Sequence, residues 1–348
     1  MLTQQADYVI GVDTHAAMHA FCLVEAASGA LLSETQLPAD RRGYRQALAL
    51  ARRSAPGRRL WAIEGAGSYG AGLARFLSAR GEQVVEVERP ARRGRQGRLK
   101  SDALDALAAA RAVLERRALA SPRAAGAREA LRILLRTREG AVAVRRAGLN
   151  ELRSLLVTAP PALRESLAGL PREALLARCG ALRPRRGPDE ARYACALALH
   201  SAAIRVRGAT REAAALEVEI ARLVGELAPA LLDQHGVGPI CAAELVVAWS
   251  HRGRLASEAA FARLAGAAPI PASSGKLVRH RLDRGGDRRL NRALHTIILS
   301  RRRSEERTRA YITRRVAEGK SEQEAVRCLK RYLARSLFRL LEEMPQAA

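Results

Sequence analysis

Asp13, Glu64, Asp102 and Asp105 are carboxylates whose places in the chain allow them to meet at one site. Asp13 closes Tyr8-Val9-Ile10-Gly11-Val12, an apolar run rich in β-branched residues that reads as a buried strand. Glu64 closes a second run of this kind, Leu60-Trp61-Ala62-Ile63. Asp102 and Asp105 open an Ala/Leu-rich helix, and their spacing of three puts both on one helical face. Carboxylate oxygens suit Mg²⁺, a hard cation that keeps waters and substrate phosphate oxygens in its shell. Two such ions stabilise both the attacking and the leaving oxygen of an in-line phosphoryl displacement. Taken singly, each acid has an ordinary explanation: acids complement a helix N-terminus after a cap such as Ser101, and acids also end strands. Taken together and in this order, they read as a metal site aimed at phosphates. His15, two residues after Asp13, reads either as an extra ligand or as a surface residue, and the surface reading is preferred.

The elements that must position these acids follow from the same patterns. Residues 7–14, 18–26 and 30–37 read as successive strands, with Ala27-Ser28-Gly29 as a tight turn. A helix is expected near 40–54, then the strand ending in Glu64, a helix over about 70–80, the strand Gln83 to Glu88, and the helix that starts near Ser101. Three strands followed by alternating helix and strand is the order of a ribonuclease-H-like α/β domain with Asp13 on its central strand. Arg89 to Lys100, a basic segment containing glycine, reads either as a nucleic-acid contact or as a solvated linker.

The whole chain points the same way. Among 348 residues, 60 Lys and Arg face 35 Asp and Glu, for a formal charge of +25. An extended polyanion is the natural partner, and nucleic acid is favoured over a membrane surface because no apolar stretch is long enough to span a bilayer. The start of the chain has no signal-peptide pattern, so a cytoplasmic protein is expected. Cys22, Cys179, Cys195, Cys241 and Cys328 are scattered without a CxxC pair, and read as small buried hydrophobes in a reducing compartment.

Three sections are expected: 1–125 as the α/β catalytic domain, 126–228 as a helical linker or coiled coil, and 229–348 as a mainly α C-terminal domain. In the middle section, Leu131, Leu134 and Leu135, then Ala213, Leu216, Ile220 and Leu223, recur at three and four. That spacing suits amphipathic helices in a long hairpin or in an ordinary bundle. The last section opens with Gly236-Val237-Gly238-Pro239, a turn between helical segments similar to a helix-hairpin-helix, whose backbone N–H groups can meet a phosphate; a simple tight connection is the alternative. From Lys276 to Arg339, 20 Lys and Arg face 7 Asp and Glu, which suits phosphate-backbone binding. Aromatic residues make up 3% of the chain, too few for a base-stacking platform.

These pieces together resemble the DEDD transposases of bacterial insertion sequences, a group that includes the Piv-type DNA invertases. The likeness lies in the strand-borne Asp13, in Glu64-Gly65-Ala66-Gly67-Ser68-Tyr69 and in Lys100-Ser101-Asp102-Ala103-Leu104-Asp105-Ala106. It continues in Gly236 to Pro239, Leu264-Ala265-Gly266-Ala267-Ala268-Pro269, Ser274-Gly275, and Gly285-Gly286-Asp287-Arg288-Arg289-Leu290-Asn291. The resemblance implies a RuvC-like fold for the first section, a Mg²⁺ site at the four acids, and a serine nucleophile that corresponds to Ser274, with Ser273 adjacent. It also implies a structured noncoding guide RNA pairing with donor and target DNA. Dimers would come together into tetramers, with a composite site of one subunit's carboxylates and another's serine. Lys100, Gly236, Gly238, Lys276, Arg279, Arg281 and Arg288 are the expected nucleic-acid contacts. The competing readings are a metal-dependent junction resolvase or nuclease, which would use the same acids for hydrolysis without a serine, and a nucleic-acid-binding protein whose acids are structural.

Overall fold

A computed structural model describes residues 6–87, 101–115, 121–123, 125–271, 280–281, 283 and 285–344. The chain divides into two compact units, the first of residues 1–125 with 253–255 and the second of 126–252 with 256–348. The helical section expected at 126–228 therefore shares a compact unit with most of 229–348.

The first unit is built on a five-stranded sheet. Its elements are β1 (Tyr8–Thr14), β2 (Met18–Glu25), β3 (Leu31–Pro38), α1 (Arg41–Ser54), β4 (Arg59–Glu64), α2 (Ala71–Ser78), β5 (Gln83–Val87) and α3 (Asp102–Leu114). The strand order is β3-β2-β1-β4-β5, so β1 is central. It runs antiparallel to β2 and parallel to β4, which in turn is parallel to β5. Because side chains alternate along a strand, each strand feeds two cores. Ile10 and Val12 of β1 join Trp61 and Ile63 of β4 under α1 and α2, packed with Leu48, Leu73 and Leu77. Val9, Leu60 and Ala62 point to the other face, where Ala109, Ala110 and Val113 of α3 cover them. The same parity carries Asp13 and Glu64 to the α3 face, one residue beyond the paired Val12 and Ile63.

Close packing of small residues fixes α3 on that face. A Cβ on Gly11 would lie 2.0 Å from the Ala106 carbonyl oxygen, so only glycine lets the helix backbone come this near. Ser101 caps the helix, accepting from the Leu104 N–H at 3.4 Å. The Cys22 thiol donates to the Ala103 carbonyl at 3.2 Å, and burial pushes its pKa up to about 11, so it serves as a packing group.

The second unit comprises α4 (Ala127–Thr158), α5 (Pro161–Leu167), α6 (Arg172–Gly180), α7 (Glu190–Leu227), α8 (Pro229–Leu232), α9 (Pro239–Trp249), α10 (Glu258–Leu264), β6 (Ile270–Pro271), β7 (His280–Arg281), α11 (Arg288–Ser304), α12 (Glu306–Ala317) and α13 (Glu322–Glu343). α4 and α7 form a long antiparallel hairpin: Arg138 meets Glu217 while, farther along α4, Glu151 meets Arg205. Leu152, Leu199, Ala202 and Val206 fill the seam between them, with Leu176 and Cys179 of α6 on its flank. The apolar α9, with Ala242 to Val247 and Trp249 buried, packs against α4, α7 and α11. The Val247 carbonyl, near the end of α9, accepts from Arg128 Nη2 at 2.7 Å in a buried contact that ties the start of α4 to α9. Among the described residues, no helix is long and apolar enough to cross a membrane.

Candidate metal centre

β1 and α3 bring Asp13 and Asp102 together. His15 Nε2 lies 3.1 Å from Asp13 Oδ2 and 3.4 Å from Asp102 Oδ1. Among the described residues, Asp13, His15 and Asp102 form the group whose ligand-type atoms all lie within 4.8 Å of one another. The Asp13 side chain is 6% exposed, whereas those of His15 and Asp102 are each 43% exposed, so the group opens to solvent on one side. A nearly buried carboxylate beside accessible donors suits a divalent cation entering from solvent, and two carboxylates supply the oxygen ligands a hard cation takes. The imidazole is the less usual partner for such an ion, and suits softer divalent metals better. His15 therefore does more than a surface residue would, since it spans both acids.

Glu64 and Asp105 fall outside that 4.8 Å group, the first on the strand beside β1 and the second on the same helix as Asp102. Glu64 is buried at the end of β4, and its carbonyl accepts from Thr14 Oγ1 at 2.8 Å, which ties the acid-bearing ends of β1 and β4. Asp105 lies one helical turn after Asp102, half-buried. Gly65, at φ +72°, turns the chain sharply after Glu64, and the Ser68 and Gly70 N–H groups bond back to its carbonyl at 2.8 and 3.1 Å.

Sequence reasoning missed the imidazole behind the group. His19 of β2 is fully buried, stacked on Tyr44 at 5.9 Å, and its Nδ1 accepts from the His15 N–H at 3.3 Å. Accepting at Nδ1 assigns the proton of the neutral ring to Nε2, and burial pushes its pKa below the ordinary histidine value. The signal was present as a histidine at a buried, alternating position of β2, opposite Thr14 in register.

Comparison with known proteins fixes the lineage. Residues 10–161 match the family model of the DEDD transposases of the IS110 group, described as Transposase, and residues 228–313 match the model described as Transposase IS116/IS110/IS902 family. The chain belongs to the IS110 family of transposases. No curated protein matches it. Transposases cut and rejoin DNA, and the DEDD domain implies use of a divalent metal, for which the Asp13, His15 and Asp102 group supplies donors.

The remaining site residues expected of this transposase divide by location. Lys100, Ser273, Ser274, Lys276 and Arg279 lie outside the described residues. The hairpin ends that flank 272–279 are described: Ile270 pairs with Arg281 and Pro271 with His280. The chain ahead of β6 is held against the segment that leads into α11, because Gly266 and Gly286 cross so closely that a Cβ on Gly286 would sit 2.2 Å from the Gly266 nitrogen. The Asp287 N–H donates to the Leu264 carbonyl at 2.6 Å, and Asn291 Nδ2 donates to the Ala265 carbonyl at 2.7 Å.

Gly236 has a structural reason to be glycine. Its φ is +77°, and a Cβ there would lie 3.1 Å from the Ile297 carbonyl of α11. Gly238 is exposed at the start of α9, and Arg288 is exposed at the start of α11. The basic stripe is less free than its composition suggests. Arg289 and Arg292 pair with Glu139, Arg302 with Glu322, and Arg335 and Arg339 with Glu258.

Proposed function

We propose that this transposase is a Mg²⁺-dependent DNA recombinase that attacks the strand with Ser274 and is directed by a structured noncoding RNA. The meeting of Asp13 and Asp102 at the C-terminal end of the central strand β1, in a chain of the IS110 family, carries the reading. The central β1 and the strand order β3-β2-β1-β4-β5 support reading the first unit as ribonuclease-H-like, of the RuvC type. The boundaries 1–125, 126–228 and 229–348 stay as the working division into catalytic, helical and serine-bearing sections.

Asp13, Glu64, Asp102 and Asp105 are the residues that would hold the metal. Bound there, Mg²⁺ supplies Lewis-acid polarisation of the scissile phosphate and lowers the pKa of an attacking hydroxyl. A serine hydroxyl needs such activation, being a weak nucleophile at its own pKa. In the step proposed, Ser274 Oγ gives up its proton and bonds to phosphorus while one deoxyribose oxygen leaves that phosphorus and takes up a proton. One phosphodiester replaces another, so the reverse attack by a deoxyribose hydroxyl rejoins DNA without an energy source. Lys276, Arg279, Arg281 and Arg288 are placed in this reading on backbone phosphates, together with Lys100 and the Gly236 and Gly238 turn. Base pairing by the RNA would select sequence, which suits a sequence short of recognisable base-reading motifs, and dimers or tetramers would be the working form.

The test is a search for a covalent protein–DNA adduct. Protein is purified with the RNA encoded in the flanks of its locus, then given Mg²⁺ and DNA carrying the element's junction. The expected result is an adduct that disappears in Ser274→Ala and in Asp102→Ala alike. Cleavage without an adduct, unchanged in Ser274→Ala, would replace this reading with a hydrolytic nuclease.

A further inference from the structure

The helical hairpin carries a cationic cleft that neither the carboxylate group nor the C-terminal basic stripe accounts for. α4, α6 and α7 converge around a cavity of about 280 Å³ whose lining includes Arg145, Arg172, Arg207 and Arg211. Its floor is apolar, formed by Leu149, Leu176 and Val206 from the three helices, all part of the core of the hairpin. The acid at its rim, Glu173, pairs with Arg172 at 3.0 Å.

Arg145, Arg207 and Arg211 have no ion pair among the described residues. Other arginines of the same two long helices do have partners: Arg138 meets Glu217, Arg205 meets Glu151, and Arg222 meets Glu219 and Glu226. Arg207 and Arg211 lie four apart on one face of α7, where like charges repel unless an anion comes between them. An apolar floor beneath them raises the attraction for such an anion by excluding part of the solvent screening. Guanidinium groups present paired N–H donors that match two oxygens of a phosphate. The cavity is smaller than the roughly 300–1,000 Å³ of pockets that enclose drug-sized ligands, and its arginines are exposed or half-buried, so a chain of phosphates can run across it. No aromatic ring lines it for base stacking.

We propose that the cleft between α4, α6 and α7 is a backbone-phosphate site for nucleic acid, holding a strand by charge without reading its sequence. The proposal rests on the reading of the protein as a recombinase of nucleic acid, but needs neither the metal nor Ser274. Binding of a labelled DNA duplex and of a labelled RNA hairpin is therefore measured in EDTA at several salt concentrations. The wild type is compared with R145Q/R207Q/R211Q, with the charge-conserving R145K/R207K/R211K, and with R41Q/R42Q/R53Q, which removes as many charges from α1.

The cleft Gln variant is expected to bind on the order of ten- to a hundredfold more weakly near 0.1 M salt, with a salt slope shallower by about 2 to 3, as for the loss of three phosphate contacts. The Lys variant should retain most of the affinity, and the α1 variant should fall much less. A fall with one polymer alone assigns the cleft to that polymer. Equal losses from the cleft and α1 variants, or no loss from the cleft variant, would overturn the proposal, and would do so even if adduct formation stood. Conversely, weakened binding in a protein that never forms the adduct would leave the cleft in place and remove the recombination chemistry. Should the Gln variant fail to fold, the single change Arg207→Gln on the exposed face of α7 is read in the same way, with a slope change of about 1 expected and none overturning the proposal.

Discussion

Gly11 of β1 and Ala106 of α3 touch backbone to backbone: a Cβ added to the glycine would fall 2.0 Å from the alanine carbonyl oxygen. That contact sets the height of α3 above the sheet, and with it the approach of Asp102 to Asp13. Gly11→Val is expected to cost about 1–3 kcal/mol, the usual range for overpacking a well-filled core. It should also lift the helix and separate the two carboxylates. The prediction is a lower Tm together with the loss of any further rise in Tm on adding Mg²⁺ or Mn²⁺. A variant that unfolded earlier but kept its full metal-induced rise would show that α3 is positioned by something other than this contact.

The two carboxylates and His15 make a second, sharper prediction about the metal. Under the proposed metal site, Asp13→Asn and Asp102→Asn should each abolish the stabilisation by Mg²⁺, since each would remove a charged oxygen donor from the group. His15→Ala should act in the opposite direction and strengthen Mg²⁺ binding, because the imidazole stands between two oxygen donors that the hard cation would use. Isothermal titration of the three variants separates these cases. Weaker Mg²⁺ binding in His15→Ala would make the histidine a ligand.

Much of this arrangement is legible in the sequence. Alternation along Val9 to Asp13 and along Leu60 to Glu64 assigns both acids to one face, and the spacing of Asp102 and Asp105 assigns them to the first turn of a helix. For His15 the sequence offers both a ligand and a surface reading and favours the surface one, because two residues past the end of a buried run lies a turn whose direction depends on the β1–β2 connection. The ring of His19 behind it depends on register between strands, which the pattern of one strand does not carry. Pairing within the basic stripe was equally hidden: Glu139 and its partner Arg292 are separated by 153 positions, and composition counts such charges as free. Ser274 lies outside the described residues, so its role rests on the resemblance alone.

Glu139 gathers Arg136, Arg289 and Arg292, linking α4 to the start of α11. Hydrogen bonding from Arg292 first, then the contribution of Arg289 and Arg136, draws its pKa down to about 2 from the ordinary 4.5. A carboxyl depressed in the folded state adds stability that is complete above its unfolded value and disappears as pH falls from about 4.5 towards 2. Because the Glu139 side chain is 38% exposed, solvent screening limits the effect to about 1 kcal/mol. Glu139→Gln should therefore be less stable than wild type at pH 7 by this amount in urea unfolding, with the gap closing on acidification. A gap that stayed constant from pH 7 to pH 3 would mean that the packing of the side chain, not its charge, holds the link.

Asn291 occupies the junction that anchors the hairpin leading into 272–279. Its Nδ2 donates to the Ala265 carbonyl at 2.7 Å, and its Oδ1 accepts from Lys330 Nζ at 2.9 Å. Lys330 is half-buried, and burial lowers its pKa, so the ammonium group depends on this acceptor for compensation. Asn291→Leu would leave a carbonyl and an ammonium group without this partner, at a cost of about 1–3 kcal/mol. Asn291→Asp keeps an acceptor for Lys330 but loses the donor to Ala265, so it should recover stability while leaving the base of the hairpin loose. If that base positions the serine-bearing segment, Asn291→Asp will retain a near-normal Tm and still form the covalent adduct with DNA several-fold more slowly. Normal adduct formation at a normal Tm would confine Asn291 to the fold and release the hairpin from this anchor.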